Sequence, residues 1–231
     1  MMATYPAVYR DAHGEEQTDI ENDGQTLRMV VRGVDFISTP FGSFDDLKPL
    51  TKGEAALSSF IFDQFGSLIA ATLHIEMPVL VVNGAEVATE TLSVIIDLDG
   101  VGSRRVIGNA ADPRMTLTFH DKSFVSRGGW GAFEGEMLQI QRQMLPGTYM
   151  KCCFNCAYSG YDPGGNGLWG MYCHRNHKEE YLTANDKPLW FRLNAQSAEY
   201  VQEIHLCPEF ERWDGETGYR DPLQLPVINK Q

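Results

Sequence analysis

The five cysteines of this 231-residue chain all lie after residue 151, and the first two-thirds of the chain contains none. Their number is odd, and residues 1–10 lack the basic and apolar stretches of a secretory signal. Clustered cysteines in a chain without such a signal bind a metal or perform chemistry more often than they form disulfides. We therefore predict that the C-terminal third folds around a metal site.

The spacing of the cysteines indicates which of them bind the metal. Cys153 and Cys156 form a C-x2-C pair, the spacing by which structural zinc sites turn two thiolates towards one ion. Cys173 and Cys207 follow singly, and the glycine-rich stretch between Cys156 and Cys173 permits tight folding. A segment so rich in loops needs a crosslink to hold its shape. We predict a structural zinc site with Cys153, Cys156, Cys173 and Cys207 as its ligands.

Neighbouring side chains leave alternatives to this ligand set. Cys152 adjoins the pair but would make the unusual C-x3-C spacing, so we expect it to be a buried thiol. His174, His177 or His205 could each replace one cysteine. An iron–sulfur cluster is the alternative cofactor, because four thiolates suit it and Cys207 precedes a proline as in cluster ferredoxins. The compact C-x2-C-x2-C run of those proteins is absent, which favours zinc.

Residues 1–131 consist of short apolar stretches separated by turn residues, the pattern of an antiparallel β domain. Asn22-Asp23-Gly24 and Asn83-Gly84 are hairpin turn signals. Between residues 92 and 96 every second side chain is apolar, as in a half-buried strand. We predict seven or eight strands in a sandwich-like arrangement, and an α+β fold for the whole chain.

The period of the apolar side chains changes after residue 131. Phe133, Met137, Ile140 and Met144 fall on one face of a helix, which predicts an amphipathic connecting helix over residues 132–147. Residues 148–231 then form the predicted metal-binding module. Within it we expect short helices at 178–183 and 195–204, and an irregular tail from Trp213 onwards.

Composition narrows the possible partners. Nineteen Lys and Arg against 31 Asp and Glu give a net charge of −12, which disfavours nucleic acid and suits a basic protein partner. No apolar run is long enough to span a membrane, so we expect a cytoplasmic location. The chain has no H-E-x-x-H or G-x-S-x-G motif, and four thiolates would close the coordination shell of the metal. We therefore expect a protein that is not an enzyme.

The cysteine segment also carries a longer pattern, Cys-x2-Cys-Ala-Tyr-Ser-x-Tyr-x-Pro-x-Gly-Asn-Gly-x2-Gly-x2-Cys-x-Arg over residues 153–175. Residues 207–212 add Cys-Pro-Glu-Phe-Glu-Arg, and residues 217–220 add Thr-Gly-Tyr-Arg. This pattern resembles a family of bacterial proteins known only as a domain of unknown function, and residues 5–14 match it more loosely. His174 departs from the pattern, which has an aromatic residue at that position.

The resemblance implies a bacterial cytoplasmic protein and brings no established reaction with it. Some families of this kind act as immunity proteins that neutralise a secreted toxin, so it also implies a protein partner, a cognate toxin. Our expectation is a non-catalytic protein that acts by protein–protein binding. The alternative is an iron–sulfur protein with a redox or enzymatic role.

Overall fold

The structure is a computed structural model that describes residues 2–23, 26–38, 44–50, 53–98, 113–128, 133–161, 171–184, 186–197 and 199–213. Apart from Trp213, the predicted irregular tail lies outside the described residues. The glycine-rich stretch 162–170 and the Thr-Gly-Tyr-Arg motif at 217–220 lie outside them too.

Strands dominate the described part of the chain. In chain order they are β1 Ala3–Asp11, β2 Gly14–Asn22, β3 Leu27–Val31, β4 Val34–Ile37, β5 Lys48–Pro49, β6 Ile61–Phe62, β7 Leu68–Ile69, β8 Thr72–Asn83, β9 Glu86–Asp97, β10 Arg114–Phe119, β11 Lys122–Val125, β12 Thr148–Met150, β13 Ser159–Tyr161, β14 Met171–Cys173 and β15 Glu199–Val201. The α-helices are α1 Glu54–Leu57, α2 Phe133–Gln143, α3 Lys178–Leu182 and α4 Lys187–Ser197. Short 3-10 turns lie at Phe44–Asp46, Cys153–Asn155 and Arg175–His177.

Ten of the strands form one antiparallel sheet in the order β11-β10-β9-β8-β1-β2-β3-β4-β5, with β12 paired to β8 beside this path. Strands β13, β14 and β15 form a small second sheet, and β6 and β7 form a hairpin. The predicted β-rich antiparallel fold with few helices is thereby confirmed.

The long hairpin of β8 and β9 illustrates why these residues form a sheet. Along β8, Leu73, Ile75, Met77 and Val79 are buried, whereas the residues between them are exposed or half-buried. Side chains of a strand point alternately to its two faces, so this alternation places one apolar face on the core. At the turn after Asn83, Gly84 has a φ of 62°, which a two-residue hairpin favours at its first central position.

The turn between β3 and β4 depends on an ion pair. Arg32 adopts a φ of 50°, a left-handed conformation that costs a residue with a side chain about 1 kcal/mol or more. Its Nη1 and Nη2 each lie 2.7 Å from a carboxylate oxygen of Asp11, whose side chain is 7% exposed. The guanidinium also lies over the rings of Tyr9 and Phe60. Hydrogen bonding to Arg32 is the main reason that the pKa of Asp11 falls to about 2.

Replacing Asp11 with Asn should destabilise the protein by about 1–2 kcal/mol at pH 7, because Arg32 loses its counter-charge in a half-buried site. The folded pKa of Asp11 lies below its ordinary value of 3.8. Its contribution is therefore present above about pH 4 and is lost as the pH falls towards 2. Urea unfolding at pH 7 and near pH 2.5 measures both effects.

The control for this prediction is Arg28→Gln, which removes an ion pair with Asp35 that is far more exposed to solvent. Exposed pairs contribute little, so this variant should unfold like the wild type. An Asp11→Asn protein as stable as the wild type at pH 7 would show that Arg32 does not need the carboxylate.

Helix α2 covers the open edge of the main sheet at β11. The Gln143 side chain accepts a hydrogen bond from the Val125 N–H and donates one to the Val125 carbonyl. Gln139 accepts from the Arg127 N–H in the same way. The two glutamines therefore bond to this edge as a neighbouring strand would, which keeps it from pairing with another chain.

One predicted helix was wrong. The helix predicted over 195–204 was placed too late in the chain, since α4 spans Lys187–Ser197 and the strand β15 occupies Glu199–Val201. The earlier start has a local cause: the Asp186 carboxylate accepts a hydrogen bond from the Leu189 N–H at 2.7 Å, and Pro188 lies in the first turn. The helix predicted at 178–183 corresponds to α3, Lys178–Leu182.

The two parts of the chain share one hydrophobic core. Phe154, Met171 and Ile204 from the cysteine-bearing segment belong to the same cluster of buried residues as Leu73 and Val79 of β8. No helix in the described ranges has the length and apolar character needed to cross a bilayer.

Candidate metal centre

The first two predicted ligands lie on a 3-10 turn that directly follows β12. The Cys156 N–H donates to the Cys153 carbonyl at 3.0 Å, so the two residues are one turn apart. Both are nearly inaccessible to solvent, with Cys153 1% and Cys156 3% exposed. The sequence interpretation of a compact C-x2-C unit agrees with this local geometry.

Cys173 is connected to this turn by the small sheet of β13, β14 and β15. It ends β14, and in the antiparallel pairing it lies opposite Ser159 of β13. The Ser159 hydroxyl donates to the carbonyl oxygens of Cys156, at 3.1 Å, and of Cys153. Ser159, which the sequence reasoning did not single out, therefore ties the strand that carries Cys173 to the turn that carries the pair.

Cys207 lies on residues 203–213, which we call the closing segment. This segment is hydrogen-bonded to the turn that carries Cys153 and Cys156. The Cys153 N–H donates to the His205 carbonyl and the Phe154 N–H to the Glu203 carbonyl, at 3.1 and 2.8 Å. Further along, the Ala157 N–H donates to the Glu211 carbonyl. These backbone bonds fix the path of the segment on both sides of Cys207, which is 7% exposed.

The three elements that carry the predicted ligands are joined to one another by hydrogen bonds. Burial raises the pKa of Cys153 well above its ordinary value, and the charges of Cys156, Cys173, Cys152 and Cys207 raise it further, in that order. The three other predicted ligands therefore act on Cys153 through their charges, although Cys173 and Cys207 come from other parts of the chain. All five cysteines are free thiols in the structure.

Cys152 is part of this neighbourhood as well. It is fully buried, and burial raises its pKa to about 12, although the nearby backbone N–H groups of Phe154 and Asn155 oppose the shift. The expectation of a buried thiol at Cys152 agrees with this placement.

The three histidines named as alternatives differ in their surroundings. His174 is completely buried and stacks on the ring of Tyr181, with centroids 4.2 Å apart. Burial lowers the pKa of His174 to about 4, and the nearby Asn194 side chain opposes the shift. Neither ring nitrogen of His174 makes a hydrogen bond of normal geometry. His177 is half-exposed beside Glu180, and His205 lies in the closing segment.

The placed side chains do not by themselves define a coordination shell. Among the described residues, no three Cys, His, Asp or Glu side chains stand in an arrangement that could hold a metal ion. The chemistry of the gathered groups nevertheless fits the predicted ion, because several buried thiols are the donors that zinc and iron–sulfur centres use. The ligand set of Cys153, Cys156, Cys173 and Cys207 stays a prediction.

Comparison with protein families finds a match to the first two-thirds of the chain. Residues 3–159 match the model of a family of unknown function, DUF6304. The chain belongs to this family. The predicted membership of a domain-of-unknown-function family is thereby confirmed.

The family match includes Cys152, Cys153 and Cys156 but ends before Cys173 and Cys207. The resemblance of the later motif, and the kinship with immunity proteins, therefore stay predictions. No curated protein and no solved structure matches the chain.

Gly160 offers a test of the packing next to the thiols. A Cβ at this position would lie 2.8 Å from the Tyr181 hydroxyl and 3.3 Å from Trp190 Nε1. Tyr181 is fully buried, and its hydroxyl donates to the Ser159 carbonyl at 2.9 Å. Gly160→Ala should therefore destabilise the protein by about 1–3 kcal/mol, as overpacking does.

Thermal unfolding measures this effect, with Gly53→Ala as the matched control because a Cβ at Gly53 would meet nothing within 4 Å. If Gly160→Ala and Gly53→Ala unfold at the same temperature, Tyr181 is not fixed against Gly160 as described.

Proposed function

We propose that this chain is a non-catalytic binding protein whose cysteine-bearing segment is held in shape by one structural zinc ion on Cys153, Cys156, Cys173 and Cys207. The observation that carries the proposal is that hydrogen bonds hold the turn with Cys153 and Cys156 against both the sheet with Cys173 and the closing segment with Cys207. Four thiolates complete a tetrahedral shell and leave no position for a substrate. The burial of the cysteines supports the same structural role.

The size of the elements around the thiols supports a need for the crosslink. Strands β13, β14 and β15 have three residues each, and the Cys153–Asn155 turn is a single 3-10 turn. Such short elements bury little surface of their own, and a metal ion that joins the turn, β14 and the closing segment would contribute directly to folding.

Metal analysis of protein purified without air tests the proposal, with about one zinc ion per chain as the expected result. Cys153→Ala and Cys207→Ala should each lose the ion and lower the melting temperature, because a shell of three thiolates binds zinc more weakly. Cys152→Ala is the matched control, since Cys152 is as buried as its neighbours but is not a proposed ligand.

The metal content of the wild type and of the variants distinguishes the zinc site from its alternatives. A folded, metal-free wild type contradicts the proposal, as does a Cys152→Ala protein that loses the ion while Cys153→Ala keeps it. Iron with acid-labile sulfide and broad visible absorption supports the alternative, an iron–sulfur protein with a redox or enzymatic role.

For the biological role we propose that the chain binds a basic protein in the bacterial cytoplasm, in the manner of an immunity protein that neutralises a cognate toxin. The net charge of −12 supports a basic partner, because opposite charge speeds encounter and suppresses wrong partners. The resemblance of the cysteine motif to bacterial families of this kind supports the same role.

Co-expression with the products of the genes adjacent to its own tests this role. One of those products should arrest growth when expressed alone and should not arrest it together with this chain. Cys207→Ala should give less protection, because the closing segment would lose its anchor. The immunity role is wrong if none of the products is toxic, or if the chain gives no protection against the one that is.

A further inference from the structure

The closing segment forms an aromatic and cationic surface where it meets β12. Phe210 and Arg212, both in the Cys-Pro-Glu-Phe-Glu-Arg motif, contact the ring of Tyr149. The rings of Tyr149 and Phe210 are stacked, with centroids 6.1 Å apart and planes 15° apart. The guanidinium carbon of Arg212 lies over the Tyr149 ring, 4.2 Å from its centroid. We call these three residues the stacked patch.

Backbone pairing fixes the stacked patch on both sides. Arg212 forms an antiparallel bridge with Cys156, and the Trp213 N–H donates to the Asn155 carbonyl at 2.9 Å. Tyr149 is held in the pairing of β12 with β8. A surface whose side chains are already positioned loses little conformational freedom when a partner binds, which favours affinity.

The stacked patch lies on the face of β12 that points away from the core. Met150 of β12 is fully buried, and neighbouring side chains of a strand point to opposite faces. Tyr149 is half-buried, as are Phe210 and Arg212. The Lys151 N–H continues the pairing with β8, which places the half-buried Lys151 side chain on the same face as Tyr149. Two cations therefore border the stacked rings.

Neither cation has a carboxylate partner among the residues that the structure describes, although the chain has a net charge of −12. Arg32 shows the usual case, because it is paired with Asp11 and the hydrogen bond raises the pKa of Arg32. Burial instead lowers the pKa of Arg212. A half-buried guanidinium without a counter-charge is a favourable place for an anion.

Contact with the ring leaves the hydrogen-bonding capacity of Arg212 unused. A guanidinium has five N–H donors in one plane, and its attraction to the face of a ring does not require them to donate. In the described part of the chain no acceptor takes a hydrogen bond from the Arg212 guanidinium. Glu209, three residues before it, is paired instead with Lys178, whose Nζ lies 2.9 Å from Glu209 Oε2. The planar fork of Arg212 suits a carboxylate, which can accept two parallel bonds.

We propose that the stacked patch and Lys151 form a docking surface for a carboxylate side chain of a partner protein, which binds to the N–H groups of Arg212. This inference rests on the proposed binding role but not on the zinc ion. It is compatible with a basic partner, because net charge attracts over about 8 Å at physiological salt, whereas this contact is a single pair of hydrogen bonds. Nucleic acid is the less favourable occupant, since the chain as a whole repels phosphates.

The experiment is an NMR titration of the full chain with an N-acetylated Gly-Glu-Glu-Gly peptide and with its glutamine counterpart, Gly-Gln-Gln-Gly, at equal ionic strength. The glutamate peptide should shift the N–H resonances of residues 149–151 and 210–213, and the glutamine peptide should bind about 10-fold or more weakly. Arg212→Gln should lower the affinity for the glutamate peptide by a similar factor. Arg212→Lys should lose part of the affinity, because an ammonium group lacks the planar fork.

Arg28→Gln is the matched control, because Arg28 is paired with Asp35 and lies on β3, away from β12. This variant should bind the glutamate peptide as the wild type does. A loss confined to the Arg212 variants identifies the stacked patch as the binding surface. A purely structural role of Arg212 would leave the peptide affinity of the folded variants unchanged.

Several results would overturn the inference. They are a wild type whose resonances do not shift with the glutamate peptide, equal affinity for the two peptides, and wild-type affinity in Arg212→Gln. If Arg212→Gln does not fold, wild-type affinity in Arg212→Lys overturns it. A short oligothymidylate that shifts the same resonances at lower concentration than the glutamate peptide would assign the patch to nucleic acid instead.

Failure of this inference can be told apart from failure of the proposed function. A chain without zinc, or one that protects against no toxic product, still supports the docking surface if it binds the glutamate peptide through Arg212. A chain that holds zinc and protects, but whose Arg212→Gln variant binds the peptide as the wild type does, loses only the docking surface.

Discussion

Strand β8 is paired along both of its edges, and the arrangement of the other elements follows from those pairings. Along one edge β9 accompanies it over all twelve residues. Along the other, β1 takes Thr72–Ile75 and β12 takes Val81–Asn83. Buried backbone groups must be hydrogen-bonded, so this edge of β8 needs strand partners along its length. Its two partners, β1 and β12, bring the beginning of the chain and the beginning of the cysteine-bearing segment to the same edge of β8. The two parts of the chain also make polar contacts with each other. For example, the Tyr5 hydroxyl donates a hydrogen bond to the Gln202 side chain.

Helix α2 connects the sheet to the thiols through buried polar groups. The Gln141 side chain donates to the Thr148 carbonyl at the start of β12 and accepts from Asn155 Nδ2. Asn155 lies on the same 3-10 turn as Cys153, and its amide also donates to the Met150 carbonyl. Buried amides with all these bonds made specify a single arrangement of helix, strand and turn. The cysteine pair is therefore positioned by the sheet domain, and the proposed metal would add Cys173 and Cys207 to a turn that is already anchored.

The charges of the protein are divided between its surface and the thiol cluster. The chain as a whole is acidic, yet Arg175 and Lys178 follow Cys173 closely in the chain, each paired with one carboxylate. A solvated acidic surface favours solubility and basic partners, whereas a buried cluster of thiolates needs cations close by. Within the proposed function, the acidic surface serves binding of the partner, and the cations serve folding of the cysteine-bearing segment.

The sequence by itself determined the local features. Alternating apolar residues predicted strands such as β9, spacing along residues 133–144 predicted α2, and the C-x2-C pair predicted a compact turn, because each pattern lies within one element. The first two-thirds of the sequence also suffices to place the chain in its family. Only the tertiary structure decided that β12 pairs with β8, that the closing segment bonds to the turn with the cysteine pair, and that Ser159 joins that turn to the small sheet. The pairing of strands and the packing of separate segments depend on contacts between residues far apart in the chain. A local pattern of apolar residues does not indicate which distant segment will be the partner.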